Sequence, residues 1–213
     1  MVIAIDGPAG SGKTTIAKFL AQRLNILYLD TGATYRVLTL KALQEKVDLS
    51  NEKSLVELVL AMKIRFEGDR VFLEGEDVTD KIRSPEVDKT ISLPVSFKKV
   101  REEMVSLQRR LVDNKDVVVE GRDTTTVVFP NAEYKFYLDA DIDERTKRRQ
   151  EYLKEKGYFL SYEDVKRQIL KRDSADLKRE FGALKKADDA VYVDTTSLNI
   201  EEVLDTLLSY IRK

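Results

Sequence analysis

The chain has 213 residues, a length that suits one α/β core carrying a small inserted segment. It is 35 % charged, but 37 Lys and Arg against 38 Asp and Glu leave a net charge of −1, which excludes a nucleic-acid coat or a membrane-surface protein held by bulk charge. Cysteine and histidine are both absent, so disulfides, thiolate catalysis, the commonest general base and the commonest zinc ligand are excluded. Carboxylates, Lys, Arg, Tyr and hydroxyls remain, an inventory suited to a reaction run by positioning and positive charge.

Residues 2–5 form a short apolar run ending in Asp6-Gly7-Pro8 and read as a buried strand. After a glycine-rich turn, Ile16, Leu20 and Leu24 recur every four residues beside Ala17 and Ala21, the pattern of a helix packed on a sheet. A second strand is expected at 26–29 and a helix from about 33 to 46. Residues 63–66 and 71–73 are strand-like and joined through Gly68-Asp69, which favours a hairpin. Short helices broken at Pro85 and Pro94 are expected over 78–95, so that about 63–95 interrupts the alternation as an insert. Val100, Met104, Leu107 and Leu111 mark a helix face; Val117, Val118 and Val119 mark a strand, and residues 134–138 another. Residues 141–156 are charged and helical, 162–171 form a further helix, and 190–193 the last strand. Val203, Leu204, Leu207 and Leu208 give the closing helix its apolar face. Buried strands alternating with helices imply an α/β fold with a mostly parallel sheet covered on both faces.

No apolar run approaches the roughly 18 residues of a membrane span. A cytoplasmic protein is expected, with no membrane or nucleic-acid partner. No exposed apolar stripe or heptad stands out, so a monomer is expected.

Gly7-Pro8-Ala9-Gly10-Ser11-Gly12-Lys13-Thr14 fits the pattern G-x-x-x-x-G-K-S/T completely, between an apolar strand and a periodic helix. Glycines let backbone N–H groups wrap a phosphate, and the helix N-terminus adds partial positive charge. Lys13 can reach the β- and γ-phosphates, and a threonine hydroxyl can hold magnesium or its water. Such a loop does not by itself name the acceptor.

Further charged residues follow the strands, where open α/β sheets place their ligands. Thr31, Tyr35 and Arg36 follow the second strand, and Gly121-Arg122-Asp123 follows the third. Two such sets point to a second anionic ligand. Arg145, Lys147, Arg148 and Arg149 make a dense cationic helix face. It is either a lid over the transferring phosphoryl group or a solvated face with pairs such as Glu144–Arg148. Arg172-Asp173 and residues 176–179 are expected in a polar stretch after a helix.

The chain resembles the bacterial-type cytidylate kinases from end to end. It carries I-D-G-P-A-G-S-G-K at 5–13, L-D-T-G-A-T-Y-R at 29–36, L-E-G-E-D-V-T at 73–79, I-R-S-P-E-V at 82–87, G-R-D at 121–123, T-V-V-F-P at 126–130 and D-A-V-Y-V-D-T-T at 189–196. The phosphate loop is shared by many families. The G-E-D-V-T stretch and the run from G-R-D to V-V-F-P are much more specific.

The resemblance implies a three-layer P-loop kinase fold, one domain over residues 1–213, with a small α+β acceptor-binding insert at about 63–95 and a helical lid at about 143–157. It implies transfer of the γ-phosphate of ATP to CMP or dCMP, with magnesium. Gly7 to Thr15 would bind ATP. Lys13, Arg36, Arg122, Arg145, Arg148 and Arg149 would be the catalytic cations. Thr31, Arg36 and Arg122 would hold the acceptor phosphate, with Tyr35 lining its pocket. Ser92, Arg101, Asp123 and Arg179 would surround the cytosine, and Arg172 and Asp176 would contact the ribose. A carboxylate can accept from cytosine N4 while Arg or Ser donates to N3 or O2, and uracil would leave such groups unpaired at about 1–3 kcal/mol each.

Two positions depart from the family's usual pattern. Thr14 stands where Gly is usual, leaving Thr14 and Thr15 both as magnesium candidates. Thr125 also replaces a Gly, and would be strained if its φ were positive. Two alternatives stand beside the main reading. One is another small-molecule kinase, for UMP, AMP or a coenzyme precursor. The other is a P-loop ATPase or GTPase switch, against which stand Glu120 in place of the usual strand-end Asp and the lack of an N-K-x-D motif.

Overall fold

A computed structural model describes residues 1–211. The chain packs as two compact units, residues 1–26 with 118 onward, and residues 27–117. The first unit opens with β1 (Val2–Asp6) and α1 (Lys13–Leu24). The second holds β2 (Leu27–Asp30), α2 (Thr31–Gln44), α3 (Glu52–Ala61), β3 (Ile64–Glu67), β4 (Arg70–Leu73), β5 (Glu76–Asp77), α4 (Pro85–Thr90) and α5 (Lys98–Leu111). The chain returns along β6 (Val117–Gly121) and continues through β7 (Tyr134–Asp139), α6 (Ile142–Glu155), α7 (Tyr162–Leu177), β8 (Val191–Asp194) and α8 (Ile200–Ile211). Five strands form one sheet in the order β2-β6-β1-β7-β8, and β3, β4 and β5 form another. β7 runs parallel to both β1 and β8.

In the first unit, Ile3, Ala4 and Ile5 are wholly buried, which is why β1 shows no polar alternation. Ile16, Ala17, Leu20 and Ala21 form the buried face of α1, as their spacing requires. Asn25 ends that helix in the left-handed region at φ 53°, its N–H turned back to the carbonyls of Ala21 and Gln22. α8 buries Val203, Leu204, Leu207 and Leu208, and Tyr210 meets Phe136 of β7 edge-on at 6.2 Å.

The second unit has its own core, in which Leu38 of α2, Leu55 of α3 and Met104 of α5 pack with Val71, Val78 and Ile82. β3 and β4 pair antiparallel around Gly68-Asp69, as expected, and β5 adds a third strand. α2 starts at Thr31, two residues earlier than expected, because the Asp30 side chain accepts the Ala33 N–H at 3.0 Å. α3 was not expected; its signals are the Asn51 cap, which accepts the Ser54 N–H at 3.2 Å, and the buried Leu55, Leu58 and Val59. Pro85 and Pro94 open helical turns rather than break them, since a first-turn position needs no N–H.

The helix expected at 162–171 runs on to Leu177. Arg172, Asp173 and Asp176 therefore lie on a helix and not in a polar stretch after one. Among the described residues, no helix is long and apolar enough to cross a membrane.

Candidate active site

The phosphate loop joins β1 to α1 within the first unit. A Cβ on Gly7 would stand 2.1 Å from the Leu138 carbonyl oxygen, so the chain can turn here only as glycine. Gly10 adopts φ 80°, and a Cβ on it would stand 2.8 Å from the Arg145 carbonyl oxygen. Lys13 is the first residue of α1, only 5 % exposed, and its Nζ donates to the Pro8 carbonyl at 2.9 Å. Burial, with the nearby Arg122 guanidinium, lowers its pKa to about 7, while Glu120 and Asp176 oppose the shift. The Ser11 hydroxyl is buried without a hydrogen-bond partner among the described residues. Thr14 Oγ1 donates to Glu120 Oε1 at 2.7 Å, whereas Thr15 is exposed.

Beside Lys13, β6 ends at Gly121 and is followed by Arg122 and Asp123. Arg122 Nε donates to Asp176 Oδ2 at 2.8 Å and Arg179 takes Asp176 Oδ1, so both oxygens of this buried carboxylate are engaged. Burial would raise the Asp176 carboxyl, but Arg122, Arg179 and Arg172 outweigh it and hold it below the usual carboxylate range. Asp123 is buried and begins a single π-helical turn, Thr124–Val128. That turn is fixed by Asp6. Its Oδ1 accepts from Thr124 N and Oγ1 at 2.9 and 2.7 Å, and its Oδ2 from Thr125 N and Oγ1 at 2.7 and 2.6 Å. Thr125 keeps a negative φ, so the strain feared at this position does not arise, and its hydroxyl adds a bond that glycine could not make.

The three arginines of α6 differ. Arg145 is buried, donating to the carbonyls of Ala140 and Ala9 at 2.9 and 3.0 Å and pairing with Asp173. Arg148 makes the helical pair with Glu144 at 2.9 Å and donates from Nη1 to Thr195 Oγ1 at 2.9 Å. Its Nη1 also lies 3.7 Å from where a Cβ on Gly12 would be, against the loop. Arg149 lies 5.2 Å above the Tyr152 ring.

In the second unit, Thr31, Tyr35 and Arg36 occupy the first turns of α2. Gln108 of α5 holds that end of the helix, donating to Thr34 Oγ1 at 2.8 Å and to the Thr31 carbonyl at 3.4 Å. Seven residues back on α5, buried Arg101 places its guanidinium 5.2 Å from the Tyr35 ring centre. Arg36 Nη1 bonds to Asp88 at 2.6 Å and to the Ile82 carbonyl at 3.1 Å. Ser92 is exposed in the turn ahead of Pro94. Thr31, Tyr35, Arg36, Ser92 and Arg101 thus belong to this unit, and the loop, Arg122, Asp123, Arg172, Asp176 and Arg179 to the other.

The cytidylate kinase family model matches residues 3–213. The chain belongs to the cytidylate kinase family. A cytidylate kinase of Geobacillus sp. (strain WCH70) is 48 % identical over 215 residues, covering 99 % of this chain and 96 % of that one. One from Bacillus subtilis (strain 168) is 45 % identical, with the same coverage. Among solved structures, an uncharacterized protein from Eubacterium ventriosum ATCC 27560 matches with a TM-score of 0.56 at 14 % identity, over 100 % of this chain and 99 % of that one. A shikimate kinase from Bacteroides thetaiotaomicron matches with a TM-score of 0.50 at 13 % identity and the same coverage. At such identity the likeness is one of fold, the mostly parallel α/β fold of P-loop kinases.

Four further residues hold these groups in place: Glu120 against Thr14, Asp173 against Arg145, Gln108 against Thr34 and Asp88 against Arg36. For Glu120 the sequence signal is an apolar strand, Val117 to Val119, ending in a carboxylate. Asp173, Gln108 and Asp88 carried none, because each is defined by a partner distant in the chain: Arg145, Thr34 and Arg36 respectively.

Proposed function

We propose that this chain transfers the γ-phosphate of ATP to CMP or dCMP, giving ADP and CDP or dCDP. The observation that carries the reading is the family match over residues 3–213 on a chain whose phosphate loop is complete, with Lys13 buried at its base. An oxygen of the acceptor phosphate attacks the γ-phosphorus as the bond to the ADP oxygen breaks. That oxygen is already ionised near neutral pH, so no strong base is required, in keeping with a chain free of histidine.

The loop from Gly7 to Thr15 holds the donor phosphates, and Lys13 with Arg148 and Arg149 offsets the charge that develops on transfer. Thr31, Tyr35, Arg36 and Arg122 take the acceptor phosphate. Ser92, Arg101, Asp123 and Arg179 read cytosine, and Arg172 and Asp176 the ribose. Thr14 and Glu120 are hard oxygen donors 2.7 Å apart, a set that suits magnesium or its waters, and of the two candidate hydroxyls Thr14 is the better supported. Bound there with ATP, the metal would neutralise phosphate charge. Residues 63–95 are proposed as the acceptor-binding insert and 143–157 as the lid. The enzyme is proposed to act as a monomer in the cytoplasm.

The test is CDP formation from CMP and MgATP by the intact chain and by Lys13→Ala. Turnover should fall at least about 100-fold in the variant, as expected when a charge stabilising the transition state is removed. Near-normal turnover in Lys13→Ala would contradict the reading.

A further inference from the structure

The Ala9 peptide, third residue of the phosphate loop, is held at both of its polar atoms by side chains from distant parts of the same unit. Its N–H donates to Asp173 Oδ1 at 3.0 Å. Its carbonyl oxygen accepts from Arg145 Nη1 at 3.0 Å. The same nitrogen meets Asp173 Oδ2, closing a ring of Ala9, Asp173 and Arg145, while Arg145 Nε donates to the Ala140 carbonyl at 2.9 Å. Arg145 and Asp173 are each 9 % exposed. Around the ring Ala9 packs on Val165 and Ile169 of α7, and Gly10 meets the Arg145 backbone too closely for any Cβ.

A loop that must present its amides to phosphate gains affinity when it is ordered beforehand. The charge-assisted bonds of this ring are of the strong kind. The donors that Arg145 spends on Ala9, Ala140 and Asp173 are not free to follow a phosphoryl group. We propose that Asp173 and Arg145 are positioning residues that preform the phosphate loop for the donor nucleotide, and that Arg145 does not act on the transferring phosphoryl group. This rests on the reading of the loop as the ATP site.

The test uses charge-preserving variants, Arg145→Lys and Asp173→Glu, singly and together, in the full chain. Lysine replaces the planar fork by a single ammonium, and glutamate displaces the carboxylate by one methylene. MgADP is the probe, because it fills the loop but lacks the γ-phosphate. Each single variant should weaken MgADP binding by about tenfold or more, with CMP binding retained and kcat at saturating ATP within about threefold of the parent. The double variant should be scarcely weaker than the singles, because both break one ring. Unchanged MgADP affinity with a fall in kcat confined to Arg145→Lys would overturn the proposal in favour of a direct catalytic role. Parallel loss of CMP and MgADP binding would also overturn it, as a general packing effect. A parent chain that binds no MgADP would instead sink the reading of the loop itself.

Discussion

Lys13 carries its charge in a place that resists it. With its pKa lowered to about 7 by burial and Arg122, it is partly neutral at physiological pH while no phosphate is bound. A polyphosphate within reach favours the protonated form. Binding of MgATP at pH 8 should therefore take up protons, measured by calorimetry in buffers of different ionisation enthalpy. Lys13→Met should abolish the uptake, and equal uptake in both chains would contradict the assignment. The same depression has a sign for stability. Between about pH 7 and the ordinary lysine value of 10.5 the unfolded chain binds more protons at this site, so the residue's contribution makes stability rise with pH across that window.

Arg36 is held by Asp88 and the Ile82 carbonyl and is proposed to take the acceptor phosphate. Replacing it by Ala removes charge-assisted bonds of about 1.5–3 kcal/mol, so the KM for CMP should rise by roughly 10- to 100-fold while that for ATP stays put. A rise confined to the ATP KM would place this arginine on the wrong nucleotide. At this scale the contiguous motifs were legible, because glycine-rich loops and strand-end arginines announce themselves in one short stretch. Asp173 and Glu120 were not, since their meaning lies in partners 164 and 106 residues away, Ala9 and Thr14.

At the scale of elements, α7 shows why some boundaries were missed. Its start was readable from Ser161, whose hydroxyl accepts the Asp164 N–H at 3.1 Å. Its end was not, because Asp173 and Asp176 face arginines distant in the chain, and buried carboxylates in a sequence look like a loop until their partners are known. The prolines at 85 and 94 misled in the opposite direction, since proline starts helices as readily as it stops them. Two substitutions separate site from scaffold. Gly10→Ala meets both a left-handed φ and the Arg145 backbone, and should cost about 1–3 kcal/mol in thermal unfolding and abolish measurable MgADP binding. Leu207→Ala, on the buried face of α8, should cost about 2–5 kcal/mol yet leave turnover per folded molecule unchanged. Near-parental MgADP affinity in Gly10→Ala, or lost turnover in folded Leu207→Ala, would contradict this division.

For the whole molecule, the strand and helix pattern was enough to announce a mostly parallel α/β fold, because buried parallel strands leave uninterrupted apolar runs and their helices leave a fourfold spacing. The antiparallel hairpin stood out because it breaks that alternation. The helices α2, α3 and α5, which share its core, carry no such signal and read like any others of the fold. Composition alone had already narrowed the chemistry, since a chain without histidine or cysteine must work by charge and alignment.

The identity of the acceptor is decided by ADP release from MgATP with CMP, dCMP, UMP, AMP, GMP or no acceptor, measured side by side. Turnover with CMP and dCMP far above the rest is the predicted result. Preference for another acceptor would keep the kinase but overturn the base-reading set of Ser92, Arg101, Asp123 and Arg179. ADP release indifferent to every acceptor would contradict the account as a whole.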